Sequence, residues 1–113
     1  MALALNVFKT VTQIAPTNPV GIYTAPVGYT GVVLLAQAAN ISSSTYTISF
    51  YHQRTISGIA VTTEIVKSFP ISGNDTTSLL SGKLILQSGD ALVLSASDPN
   101  NIKFIGSILE TLN

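Results

Sequence analysis

The sequence predicts an all-β protein, a small antiparallel β-sandwich of jelly-roll-like form with about seven or eight strands. Three observations carry this expectation. Turn residues recur at about the 8–12-residue spacing of sandwiches and barrels. The segments between them are rich in Val, Ile, Leu, Thr, Tyr and Phe, which suit a pleated and half-buried surface. No segment sustains an apolar period of 3.6 residues.

The elements follow in chain order. Residues 6–14 form the first strand, closed by the turn Pro16-Thr17-Asn18-Pro19, and residues 20–24 the second, closed by Pro26-Val27-Gly28. Residues 30–39 make a third strand that is apolar on both faces, with Val32 and Leu34 opposing Val33 and Leu35. Residues 45–54 alternate, with Tyr46, Ile48, Phe50 and His52 on one side and Thr45, Thr47, Ser49 and Tyr51 on the other, the signature of a strand with one face toward a core. Ser57-Gly58 turns the chain into a strand over residues 59–69. Residues 76–81 are expected as a single helical turn. Residues 84–87 and 91–97, joined by Ser88-Gly89-Asp90, read as a hairpin that places Leu84, Leu86, Leu92 and Leu94 on a shared face. Residues 102–112 end the chain as a strand in which Ile102, Phe104 and Ile108 oppose Ile105 and Leu109.

A chain of 113 residues holds one domain with its own core. Residues 1–14 are expected as an N-terminal arm or first strand, and residues 15–113 as the sandwich. Charged residues make up only 9% against about 25% in ordinary soluble domains, so the surface is hydrated by Ser, Thr, Asn and Gln, which do not repel a neighbouring copy. Five Lys and Arg balance five Asp and Glu, scattered singly, so neither nucleic acid nor membrane is an expected partner. Residues 1–10 lack the basic and long apolar regions of a secretory leader, and the apolar run at 32–36 is far short of the roughly 20 residues that span a bilayer as a helix.

The chemistry-bearing residues are few. There is no Cys, hence no disulfide, thiol nucleophile or thiolate metal site. His52 is the single histidine and sits within a strand, without a G-x-S-x-G setting. Glu64, Asp75, Asp90, Asp98 and Glu110 form no local pair, and Asp75, Asp90 and Asp98 lie in turns, where carboxylates bind their own backbone. Calcium held between Asn74-Asp75 and residues 98–101 is a minor alternative without a spaced acidic loop. No phosphate-binding loop is present, and no cofactor is expected. Tyr23, Tyr29, Tyr46 and Tyr51 fit strand propensity, with a sugar-stacking face as the competing reading.

Two further stretches carry a resemblance. Tyr23-Thr24-Ala25-Pro26-Val27-Gly28 precedes an apolar strand ending in Asn40, and the run from Gly82 to Asp90 precedes a last strand ending near Glu110. In this order, over residues 21–110, the sequence resembles small structural proteins of tailed bacteriophages. The resemblance implies a non-enzymatic virion component without catalytic residues, made in the cytoplasm of the infected bacterium and assembled as a homo-oligomer. A trimer is favoured, and the major capsid protein or tail proteins are the other partners. Capsid decoration or cement is the expected role. A tail, neck, baseplate or fibre accessory and a carbohydrate or host-recognition module are the alternatives.

Apolar residues on a second strand face ask for a cover beyond the core, unless loops or sheet ends hide them. The expected assembly residues are therefore Val33, Leu35, Ile105 and Leu109, with Leu3, Leu5, Val7 and Phe8 on an arm over residues 2–8 that reaches a neighbour.

Overall fold

The computed structural model describes residues 6–113, and Leu3 and Leu5 lie outside them. Nine strands follow one another: β1 (Asn6–Ile14), β2 (Val20–Thr24), β3 (Tyr29–Asn40), β4 (Tyr46–Ile56), β5 (Ile59–Ile71), β6 (Thr76–Ser78), β7 (Leu84–Leu86), β8 (Ala91–Ala96) and β9 (Ile102–Leu112). Eight of the ranges fall within one or two residues of those read from turn chemistry and composition.

The strands form two antiparallel sheets. The first runs β1-β9-β3, with β6 and β7 both paired to the far edge of β3, and the second runs β2-β8-β4-β5. The pairs are nested from the chain ends inward. β1 pairs β9, β2 pairs β8, β3 pairs β6 and β7, and β4 pairs β5. A long antiparallel ribbon folded over on itself gives this nesting, which is the wind of a jelly roll with β6 and β7 as one interrupted strand.

The core is the space between the sheets. Val33, Ala36 and Ala38 of β3 and Ile102, Phe104 and Ile108 of β9 face Ile48 and Phe50 of β4 and Leu92 and Leu94 of β8, all almost fully buried. Phe50 and Phe104 meet from opposite sheets with ring centroids 5.5 Å apart. Gly106 makes room for this packing, because a Cβ there would lie 3.0 Å from the Phe104 ring and 3.2 Å from the Leu35 carbonyl oxygen. Asn40, buried at the end of β3, ties the β3–β4 loop to the end of β5. Its amide donates to the carbonyls of Ser44 and Ile71, and its oxygen accepts from the backbone N–H and the hydroxyl of Ser42.

Three expectations are corrected. Residues 84–97 are no hairpin, since β7 belongs to the first sheet and β8 to the second. The Ser88-Gly89 turn is real: Asp90 N–H donates to the Gln87 carbonyl, and Gly89 has φ 88. It makes a corner between layers, so Leu86 enters the core from the first sheet and Leu92 and Leu94 enter it from the second. Residues 76–78 are strand instead of a helical turn, because the β-branched Thr76 and Thr77 find an open edge at Ala38 and Ala39. Val33, expected on the second face, points into the core. The register of β3 on β9 shifts between Val33 and Leu35, so Leu34 is an extra bulged residue and the alternation restarts after it.

Candidate assembly surfaces

The outward face of the first sheet is built by alternation. In β9, Ile102, Phe104 and Ile108 are buried, and Lys103, Ile105, Ser107 and Leu109 therefore point away from the core. Register then lines up the other strands. Phe8 lies opposite Leu109, Leu109 opposite Val32, and Val32 opposite Ile85. Four adjacent strands thus each contribute one apolar side chain to a row across the sheet, about 14 Å long at the usual strand spacing. Phe8 is 73% exposed and Ile85 60%.

Toward the other end of this face, Ile105 stands between Thr12 and Gln37, and Lys103 stands between Ile14 and Ala39. Residues 12–14 of β1, Ala39 of β3 and residues 103–105 of β9 line a shallow depression of about 540 Å³.

Of the expected assembly residues, the structure gathers Phe8, Leu35, Ile105 and Leu109 on this one face. Leu35 and Ile105 are 40% and 41% exposed, and Leu109 is half-buried. Val7 lies opposite Glu110 on the core side of β1, and Val33 is in the core.

A second apolar surface was not legible from the sequence. β8 pairs with β4 only from Ile48 to Gln53, yet β4 and β5 stay paired out to Ile56 and Ile59. The last turns of this hairpin therefore extend past the sandwich as a two-stranded arm, within a molecule 48 Å long and 24 Å thick. Ser57 and Gly58, with φ 51 and 79, form the tight reversal at its tip, where two positive φ values match the twist of the strands. Ile56, Ile59 and Val61 are exposed on the arm. They share the side on which Ile48, Phe50 and His52 face the core, because Val61 pairs with Arg54 and Ile59 with Ile56. The signal available in sequence was the apolar pair flanking Ser57-Gly58. What it lacked was the length of β8.

The base of the arm is clamped. Arg54 Nε and one terminal nitrogen donate to the two oxygens of Asp90 at 2.8 and 2.6 Å. His52 Nε2 lies 3.0 Å from the same carboxylate, and Gln87 N–H donates to it at 2.9 Å. Asp90 is 2% exposed. The Arg54 guanidinium holds the Asp90 carboxyl well below the usual range, outweighing burial, with smaller help from His52 and Gln87.

The second charge cluster sits between β1, β2 and β9. The Tyr23 hydroxyl donates to Glu110 Oε2 at 2.5 Å, and Lys9 Nζ lies 3.4 Å from that oxygen. Burial, and then the hydrogen bond to Glu110, push the Tyr23 hydroxyl above its ordinary pKa. The other candidate groups serve local structure. Asp98 accepts the N–H groups of Asn100 and Asn101 and the Asn101 amide, and these bonds, led by Asn100, lower its pKa. Asp75 accepts Thr76 N–H. Tyr23 and Tyr46 pack against the core, whereas Tyr51 pairs with Val93 on the outward side of the second sheet. These three tyrosines share no single surface.

No family model matches the sequence, and no curated protein is similar to it. Solved structures share its fold. A chain in the acid-stable capsid of Helicobacter pylori bacteriophage KHP30 aligns with TM-score 0.57 and 12% identity over 96% of this chain and 89% of that one. A chain of the T13 particle of infectious bursal disease virus aligns with TM-score 0.56 and 8% identity over 97% of this chain. This chain spans about a third of that protein's length, 32%. A subunit of the disulfide-linked pili that form Bacillus endospore appendages aligns with TM-score 0.50 and 14% identity over 100% of this chain and 97% of that one.

Proposed function

We propose that this chain is a non-enzymatic structural protein of a virion, a decoration or cement protein on the capsid of a tailed phage that assembles as a homo-oligomer, with a trimer favoured. It is made in the cytoplasm of the infected bacterium, and its further partners are the major capsid protein or tail proteins. The observation that carries this reading is the uncharged row Phe8, Leu109, Val32 and Ile85 on the outward face of an antiparallel sheet, a face that in a solitary sandwich is normally wet and polar.

Two further points support it. The likeness in fold to a chain of the KHP30 capsid covers 96% of this chain and 89% of that one. The carboxylates with shifted titration, Asp90 and Asp98, are consumed by structural bonds, which leaves the non-enzymatic reading the simpler one.

A tail, neck, baseplate or fibre position is the second reading, favoured by the likeness to the pilus subunit over the whole chain. This sequence contains no Cys, so a disulfide-linked fibre of that kind is not open to it.

The mass of the purified protein in solution, by light scattering at micromolar concentration, tests the assembly role. A stable trimer or larger closed ring supports decoration, and open-ended polymers move the assignment to a fibre. A monomer at every concentration contradicts self-assembly.

A further inference from the structure

We propose that β1 is exchanged between copies on assembly: it leaves the β9 of its own chain and pairs with the β9 of the next copy in the same register, with residues 15–19 as the hinge. This rests on the assembly role above and names the contact that makes it.

The fit is already present within one chain. β1 lies at the edge of the first sheet and pairs with β9 alone, through nine opposed residues from Asn6 with Thr111 to Ile14 with Lys103. A second copy carries the same strand, so exchange remakes each of these pairs between chains and no new surface has to match.

Charge selects the occupant. Glu110 is 4% exposed, and Lys9 of β1 brings its Nζ to 3.4 Å from Glu110 Oε2. A strand that takes the place of β1 has to supply a cation there, because removing one partner of a buried charge is costly. The β1 of another copy supplies Lys9 in register.

β1 is also lightly held. None of its nine residues is fully buried, and Val11 is the side chain that packs against the core. Its departure therefore takes little from the core, whereas β3 and β9 bury residues along their length.

The hinge works against closure. A short loop that turns back freely holds its strand at an effective concentration of about millimolar, which favours the closed chain. Here Pro16 and Pro19 have fixed φ, and Ala15 and Asn18, each before a proline, are biased toward extended backbone. The closed chain bends at residues 17–18, against the preference of Asn18, and an extended hinge satisfies all four residues. Residues 17–19 are exposed, so straightening them uncovers nothing. Passed round a closed ring, each copy gives one β1 and receives one, and no β9 edge is left open.

The absence of Cys makes a direct test possible, because a chain carrying both Thr10→Cys and Ser107→Cys, opposed in the register, has one cross-link to make. Oxidised after assembly at micromolar concentration and run on a non-reducing denaturing gel, it is expected to give mostly inter-chain products. Refolded and oxidised at nanomolar concentration, it is locked closed, and this monomer is expected to stay monomeric at micromolar concentration until a thiol reductant releases β1. Thr12→Cys with Ile105→Cys, a second opposed pair, gives the same two readings if the first pair perturbs folding. Intra-chain links alone in an oligomer of native mass, or a locked monomer that assembles as the native chain does, overturn the exchange and leave the assembly role standing. A native chain that is monomeric at all concentrations overturns both.

Discussion

Arg54 grips both oxygens of Asp90 with two of its nitrogens, linking the arm formed by β4 and β5 to the corner between β7 and β8. The carboxylate is buried while the guanidinium is 37% exposed, so the pair is screened on one side only. Asp90→Ala leaves the His52 ring and Gln87 N–H without their acceptor and is expected to cost about 2–3 kcal/mol in urea unfolding. Arg54→Ala is expected to destabilise the fold more than the loss of an ordinary surface ion pair does, because it strands the Asp90 charge in the interior.

Acid should act through the same group. The folded-state pKa of Asp90 is depressed, so its contribution to stability is fully present above the ordinary aspartate value of about 4 and is lost as pH falls below it. The expected result is a fall in the urea midpoint below about pH 4 that is clearly smaller in Asp90→Asn.

Base should act through Tyr23. Its folded-state pKa is raised, so its contribution is present below the ordinary tyrosine value of about 10 and is lost as pH rises through the folded value. Tyr23→Phe removes the bond to the buried Glu110. It is expected to cost about 1–2 kcal/mol at neutral pH and to flatten the decline above about pH 10.

Two packing positions give sharp outcomes. Gly106→Ala drives a methyl group against the Phe104 ring and the Leu35 carbonyl, with an expected loss of about 1–3 kcal/mol in thermal or urea unfolding. Asn40→Asp keeps the size of the side chain but loses its two donors to Ser44 and Ile71, and is expected to destabilise by about 2–3 kcal/mol.

How much of this was legible in sequence depends on how local each cause is. Strand limits follow from turn residues and β-branched runs, so β1, β2 and β9 begin and end where the sequence reading puts them. The outward positions of Phe8, Ile105 and Leu109 follow from strict alternation in β1 and β9. Alternation fails where the backbone slips, and the bulge at Leu34 moved Val33 into the core, because one extra residue reverses the faces on either side of it. The turn at Ser88-Gly89 was legible, but whether a tight turn joins neighbours in one sheet or corners of two depends on partners far away in sequence. The same holds for the pairs His52–Asp90, Arg54–Asp90 and Tyr23–Glu110. Tyr23, Asn40, Asp90 and Glu110 were singled out through their place in a sequence pattern, and in the fold each is a buried or half-buried polar joint between elements. The free length of the arm, set by where β8 stops, had no local signal at all.

The central claim is that the outward face of the first sheet is covered when the protein assembles. Hydroxyl-radical labelling of side chains, read by mass spectrometry across a dilution series that spans assembly, tests it most directly. The expected result is protection of Phe8, Leu35, Ile85 and Ile105 in the assembled form, while Val27 and Ile41, exposed elsewhere on the fold, label at an unchanged rate. An oligomer in which Phe8, Leu35, Ile85 and Ile105 label as fast as in the monomer would contradict the claim.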